Sequence, residues 1–123
     1  MHTPISFLAT TDPEQAKAFY ADTLGLTLTD QSPYALVFDD GGVMLRVQIV
    51  AELTPAGHTV HGWQVVDIAA TVADLTTGGV RFLMFDGMGQ SPSGIWTTPD
   101  GNQISWFKDP SGNILSLTQF LIT

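Results

Sequence analysis

The fold is decided by one stretch of the chain, Trp106-Phe107-Lys108-Asp109-Pro110-Ser111-Gly112-Asn113-Ile114-Leu115. Its centre, residues 109–113, combines a proline, which presets its own φ, with a glycine, which tolerates positive φ. This composition is typical of a tight turn. We therefore predict a β-hairpin whose strands are Gln103–Lys108 and Ile114–Phe120.

Upstream of the hairpin, the pattern predicts a strand, a helix and further strands. Asp67 is a candidate N-cap for a helix that carries Ile68, Val72 and Leu75, and Gly78-Gly79 ends it. The predicted strands of this half are Val60–Val66, Val80–Phe85 and Ile95–Thr97. Residues 86–94 are rich in Gly, Ser and Pro, which indicates either an adaptable lid or an ordinary exposed loop.

The first half of the chain has the same order of elements. Asp12 and Pro13 suit a helix start, and Ala16, Phe19 and Tyr20 follow at helical spacing. The predicted strands of this half are Ile5–Thr10, Leu26–Asp30, Tyr34–Phe38 and Val43–Val50.

The candidate caps Asp12 and Asp67 are 55 residues apart, which is the scale of a repeated supersecondary unit. We therefore predict a single domain, 1–123, of the α+β class. It consists of βαβββ modules 1–51 and 58–123, and a linker at 52–57 joins them.

The charge balance narrows the classes of partner. The chain has 12 acidic and 4 basic residues, a net charge of −8 and no cysteine. So few bases cannot follow a phosphate backbone, and an acidic surface is repelled by anionic membranes, so we expect neither partner. Without cysteine, disulfides and thiolate sites are excluded. Met1-His2-Thr3-Pro4 does not resemble a signal peptide, so we expect a cytoplasmic protein.

The order of elements and three landmarks together resemble the vicinal oxygen chelate superfamily, which includes glyoxalase I, bleomycin-resistance proteins, extradiol dioxygenases and fosfomycin-resistance enzymes. The landmarks are Phe19-Tyr20 before Leu24-Gly25-Leu26, then Val65-Val66-Asp67, and residues 106–115. The resemblance implies curled mixed sheets around a central cleft, helices on the outside, and a homodimer.

Members of that superfamily that use a metal hold it with His, Glu or Gln at fixed strand positions. By the resemblance, those positions fall on Ile5, Arg46, Val60 and Ser116. Ile and Val have no donor atom and Arg is a permanent cation, so we predict no metal and no cofactor. A displaced site at His58 or His61 is the alternative. His61 would face the cleft only through a slipped register or a bulge.

Strand alternation from those positions predicts the residues that line the cleft. The candidate ligand-binding residues on these strands are Phe7, Met44, Arg46, Gln48, Val60, Gln64, Ser116 and Thr118. Trp96, Trp106 and Phe85 are added as candidates for stacking on a planar ligand, with core packing as the alternative. Arg46 suits an anion clamp, although an ion pair with Asp39 or Asp40, or a strand-edge position in water, is an equal alternative.

Two functions remain open at this point. The first is a binding protein that holds a small, partly aromatic ligand in a metal-free cleft and so sequesters an antibiotic or a metabolite. The second is a lyase or isomerase of the same fold with no metal or an atypical one. Catalysis is therefore uncertain, and no catalytic residue is predicted.

Overall fold

The structure is a computed structural model that describes residues 1–122 of the chain. The described chain divides into two compact units. The first unit contains Met1–Ala56 and Asp109–Asn113, and the second contains Gly57–Lys108 and the stretch from Ile114 onwards.

The first unit has the predicted βαβββ order. Its elements are β1 (Ile5–Thr10), α1 (Pro13–Lys17) with a π-helical continuation (Ala18–Thr23), β2 (Thr27–Gln31), β3 (Ala35–Asp40) and β4 (Val43–Ile49). The sheet order is β1-β4-β3-β2, in which β1 and β4 are parallel and the other pairs are antiparallel. Asp12 caps α1 as predicted, because its Oδ1 accepts a hydrogen bond from the Gln15 N–H at 3.2 Å.

The second unit repeats this arrangement. Its elements are β5 (Thr59–Gln64), α2 (Ile68–Thr77), β6 (Trp96–Thr97), β7 (Gln103–Lys108) and β8 (Ile114–Gln119). The sheet order β5-β8-β7-β6 reproduces the order of the first sheet, and β5 and β8 are parallel. Asp67 caps α2 through its Oδ1, which accepts from the Ala70 N–H at 3.1 Å. The α+β class and the tandem modules are confirmed.

Each sheet packs most of its buried apolar side chains on one face. In the first unit the buried side chains include Leu8, Leu36, Phe38, Leu45 and Val47, together with Tyr20 of the π-helical segment. In the second unit they include Phe107, Leu115 and Leu117 of the sheet and Ile68 and Val72 of α2. The opposite faces carry the more exposed side chains, although Val37 of the first sheet and Ser116 of the second are buried there too.

The strand predicted at Val80–Phe85 is wrong. The segment forms only an isolated antiparallel bridge between Phe82 and Phe107. The Gln90 side chain bonds the Leu83 carbonyl and the Phe85 N–H, which are groups that a strand would use for its ladder. Strand pairing stops here because a side chain has taken the backbone's hydrogen bonds.

The turn that joins β7 and β8 belongs to the first unit. Asp109 Oδ2 accepts hydrogen bonds from the Tyr20 hydroxyl at 2.6 Å and the Asn113 side-chain amide at 2.8 Å. Its Oδ1 accepts from the backbone N–H groups of Ser111 and Asn113, both at 2.9 Å. Gly112 has a φ of 89°, as a turn of this kind requires. The segment is thus a tight turn, as predicted, and also a buried polar anchor.

No helix among residues 1–122 is long and apolar enough to cross a membrane.

Candidate functional site

Four predicted site residues share the open face of the second unit's sheet. Ser116 on β8 lies opposite Gly62 on β5 and Trp106 on β7. Thr118 lies opposite Gln64, one step further along the same face. Since alternate residues of a strand point to the same side, Gln64, Trp106, Ser116 and Thr118 form one surface.

Aromatic side chains border this surface. The ring centroids of Trp96 and Trp106 are 6.1 Å apart with a 30° angle between the planes, and those of Phe85 and Trp106 are 5.5 Å apart at 82°. Trp96 pairs with Ile104, which lies two residues before Trp106, so both indoles are on the open face. Phe85 is 42% exposed, and both indoles are half-buried. We call Phe85, Trp96 and Trp106 the aromatic wall.

Polar groups without partners lie beside the aromatic wall. Within residues 1–122, the side chains of Gln64, Ser116 and Thr118 form no hydrogen bond with the protein. A Cβ atom on Gly62 would lie 2.5 Å from the Ser116 Oγ, so only glycine leaves room for this hydroxyl. A hydroxyl and an amide with free hydrogen-bonding capacity next to aromatic rings can orient a polar ring system.

The Gln90 side chain makes three hydrogen bonds to the loop that follows Phe85 and to its flanks. Gln90 Oε1 accepts from the Phe85 N–H at 2.7 Å, and its Nε2 donates to the carbonyls of Leu83 at 3.0 Å and Gly94 at 2.9 Å. This amide fixes the position of Phe85 in the aromatic wall. The sequence prediction did not identify Gln90, because a lone Gln in a loop carries no signal for this role.

The open face of the first unit carries the other predicted residues. Arg46 on β4 lies between Phe7 on β1 and Val37 on β3. Met44 pairs with Ile5, and Gln48 pairs with Ala9. Phe7 is 53% exposed and Met44 is 42% exposed, so this sheet presents apolar side chains around one guanidinium.

Arg46 has no partner in the part of the chain that the structure describes. The alternative of an ion pair to Asp39 or Asp40 is not observed. Asp39 Oδ1 instead accepts from the Gly42 N–H at 3.0 Å in the β3–β4 turn. The Arg46 guanidinium therefore keeps its hydrogen-bonding capacity for an anion.

The four positions at which relatives would hold a metal do not fit one. Ile5 and Arg46 lie on the open face of the first sheet, and Ser116 lies on that of the second. Val60 lies in a bulge of β5 without a partner on β8, and Thr59 takes the place opposite Ile114. Two aliphatic side chains, a cation and a lone hydroxyl offer no donor set for a divalent ion.

The alternative metal site at His58 or His61 is not formed among the described residues either. The bulge does not turn His61 to the open face, since His61 pairs with Leu115 on the buried side and its ring lies 4.8 Å from that of Trp63. His58 is exposed before β5. Among the described residues, no group of three His, Cys, Asp or Glu side chains could hold a metal ion.

Two residues of the open face were missed by the sequence prediction. Ile104 and Lys108 alternate with Trp106 along β7 and pair with Thr118 and Ile114. Counting by two from Trp106 would have found both, whereas the prediction applied alternation only to strands that carry metal positions in relatives.

The repeated topology and the anchored turn are features that can be compared with known protein families. A model of the Glyoxalase/Bleomycin resistance protein/Dioxygenase superfamily matches residues 3–117. The chain belongs to this superfamily, which confirms the resemblance drawn from its motifs. A comparison with curated proteins gives no match.

Solved structures agree with the fold. A superfamily member from Sphaerobacter thermophilus DSM 20745 has a TM-score of 0.75 at 22% identity, over 98% of each chain. TioX from Micromonospora sp. ML1 has a TM-score of 0.73 at 20% identity, over 98% of this chain and all of its own. A lactoylglutathione lyase from Agrobacterium tumefaciens has a TM-score of 0.70 at 19% identity, over 96% of this chain and 94% of that one. At these identities the likeness is one of fold alone.

Proposed function

We propose that this protein binds a small, partly aromatic molecule against the aromatic wall, without a metal, and so sequesters an antibiotic or a metabolite. The observation that carries the proposal is the stacked pair of Trp96 and Trp106 beside the unpartnered Ser116 hydroxyl. Stacking supplies affinity for a flat ring, and the hydroxyl and the Gln64 amide select its polar substituents.

Arg46 supports a separate part of the proposal. Arg46 carries the only guanidinium of the first unit, and it lies opposite the exposed Phe7 on the neighbouring strand. This combination suits the anionic group of a small ligand, since a guanidinium binds a carboxylate with two parallel hydrogen bonds. No contact among the described residues favours the lyase or isomerase alternative, so the proposal stays with binding.

The state of the protein in the cell is also part of the proposal. We propose a cytoplasmic homodimer that binds neither nucleic acid nor membranes. The supports are the net charge of −8 and the membership of the superfamily.

The experiment uses tryptophan emission as the reporter. The chain has three tryptophans, and Trp63 lies on the buried side of its sheet opposite Leu117. A Trp63→Phe variant therefore reports on Trp96 and Trp106 alone. Aromatic acids and antibiotics are screened for a thermal shift, and each hit is titrated while emission is followed.

A ligand of the aromatic wall should change the emission of Trp63→Phe and should bind about tenfold more weakly to Ser116→Ala, which removes one hydrogen bond. Separately, Arg46→Gln should weaken only anionic ligands that bind on the sheet of the first unit. Hits that leave the emission unchanged and bind Ser116→Ala with full affinity would contradict the proposal. Stoichiometric zinc, nickel, manganese or iron in the purified protein would contradict its metal-free part.

A further inference from the structure

A groove of about 590 Å³ lies on the second unit, between α2 and the segment that follows it. Its volume is within the range of small-molecule sites, which is roughly 300–1,000 Å³. Phe82 lines the groove and bridges to Phe107, whose neighbour Trp106 points to the opposite face of the sheet. The groove is therefore on the other side of the sheet from the aromatic wall.

The helical side of the groove is apolar. Ala69, Val72, Ala73 and Thr76 line it at the spacing that places residues on one face of a helix. Ala69 and Ala73 are exposed, although a helix surface in contact with water ordinarily carries charged residues. The opposite side adds the buried Val80 and the half-buried Phe82. An alkyl chain would find continuous apolar contact here.

The charge of the groove is unlike that of the rest of the chain. The protein has 12 acidic and 4 basic residues, yet the described residues that line the groove include Arg81 and no Asp or Glu. Arg81 forms no hydrogen bond or ion pair within residues 1–122. The groove thus combines an apolar floor with one free guanidinium, and Thr76 and Ser93 add hydroxyl groups.

We propose that this groove is a second ligand site, which binds a medium-chain carboxylate. The alkyl chain packs against Ala69, Ala73 and Phe82, and the carboxylate pairs with the Arg81 guanidinium. A singly charged head group matches a single cation, and the absence of acids among the lining residues spares it repulsion. The site goes beyond the proposed function and does not depend on it.

The test is a titration of the full chain with sodium octanoate, followed by backbone amide NMR and by calorimetry. Octanamide has the same chain without the charge. Arg81→Gln removes the cation, and Lys17→Gln in α1 is the matched control because it removes one positive charge elsewhere. Ala73→Phe fills the groove from an exposed helical position while Arg81 stays in place.

Octanoate should shift the amides of Ala69, Ala73 and Thr76 and leave the emission of the aromatic wall unchanged. Arg81→Gln and octanamide should each weaken binding about tenfold, because a charge-assisted pair is lost. Ala73→Phe should abolish binding, and Lys17→Gln should bind as the parent does.

Two results would overturn the site. One is octanoate bound equally by Arg81→Gln and the parent. The other is amide shifts confined to residues outside the groove. The NMR map uses the unaltered chain, so the test stands even where Ala73→Phe does not fold. A failure here leaves the emission test of the aromatic wall unaffected, so the two proposals fail separately.

Discussion

Tyr20 and Asp109 form the most buried polar contact of the first unit. Tyr20 is fully buried, and its hydroxyl donates to Asp109 Oδ2 at 2.6 Å. Burial, reinforced by the charge of Asp109 and by this hydrogen bond, raises the pKa of the Tyr20 phenol well above its ordinary value. Because the two residues are 89 positions apart, the contact joins the π-helical segment to the β7–β8 turn.

This raised pKa predicts a loss of stability in alkali. Above about pH 10 an unfolded tyrosine loses its proton while Tyr20 in the folded protein keeps it, so unfolding releases a proton. The free energy of unfolding should fall by about 1.4 kcal/mol for each further pH unit through this group. The measurement is denaturant unfolding between pH 7 and pH 11.

Tyr20→Phe should remove this part of the pH dependence and should cost about 1.5–3 kcal/mol at pH 7, since Asp109 loses a donor. Tyr34, the second tyrosine, is 77% exposed, so Tyr34→Phe is the control that keeps the alkaline loss. Identical alkaline slopes in the parent and Tyr20→Phe would refute the assignment.

Ser105 has a buried hydroxyl that, unlike the hydroxyl of Tyr20, has no hydrogen-bond partner among the described residues. Its Oγ lies inside the second unit and forms no hydrogen bond among the described residues. Burying an unsatisfied hydroxyl is costly, so Ser105→Ala should raise the free energy of unfolding by about 1 kcal/mol. Ser32→Ala is the matched control and should destabilise, because Ser32 Oγ accepts from the N–H groups of Tyr34 and Ala35. A destabilised Ser105→Ala would mean that the hydroxyl has a partner after all.

Local sequence signals were sufficient to predict the roles of some residues and insufficient for others. Asp12 and Asp67 were predicted as caps because each acts on an N–H group three positions away. The role of Asp109 as an anchor was not predictable, since its partner Tyr20 is distant in sequence and no local pattern joins them. The free state of Arg46 also depended on where the Asp39 side chain turns, which only the structure shows.

At the scale of elements, the Gln90 side-chain amide makes three of the hydrogen bonds that hold the segment 83–94. Gln90 satisfies three backbone groups, those of Leu83, Phe85 and Gly94. Although Phe82, just before this segment, forms an isolated bridge with Phe107, the segment is a loop because the Gln90 amide competes with strand pairing. A side chain that substitutes for a strand partner leaves no trace in periodicity, which explains why Val80–Phe85 was predicted as a strand.

Gln90→Ala should release this segment. The amide of Phe85 should exchange its hydrogen about tenfold faster, and ligands of the aromatic wall should bind more weakly because Phe85 is no longer held. Gln15→Ala, at an exposed helical position whose side chain makes no hydrogen bond within the described chain, is the control. Unchanged exchange at Phe85 in Gln90→Ala would show that other contacts hold the loop.

The bulge in β5 is the other place where the structure departs from regular strand alternation. Alternation places Val60 in line with Gly62, but the register slips between Thr59 and His61. The parity of the remainder of the strand is kept, so Gln64 lies on the open face as predicted while Val60 lies unpaired. Bulges depend on the fit between neighbouring strands, and a single strand's sequence does not reveal them.

At the scale of the whole molecule, two units of one topology account for the chain. The repeat was predicted from the sequence because strand, helix and turn signals recur in the same order along the chain, whereas the strand orders β1-β4-β3-β2 and β5-β8-β7-β6 come from the structure. The inclusion of Asp109–Asn113 in the first unit was not accessible, because it depends on tertiary contacts.

We expect a homodimer of this 13.2 kDa chain. Only 13% of the residues are charged, and Ile5, Phe7 and Met44 leave apolar surface on the first sheet, so association would remove such surface from water. Light scattering at micromolar concentration should give twice the mass of the chain. A mass of one chain across the concentration range would refute the dimer.

The Asp109 anchor and the surface acids should respond differently to ionic strength. Asp109 is the buried carboxylate among the chain's 12 acids, and its bonds come from a phenol and amides, which are dipoles that salt does not screen. The acids that remain are largely at the surface of a chain with a net charge of −8, where they repel one another. Added sodium chloride therefore weakens the repulsion and leaves the anchor intact, so the melting temperature should rise with salt up to about 0.5 M.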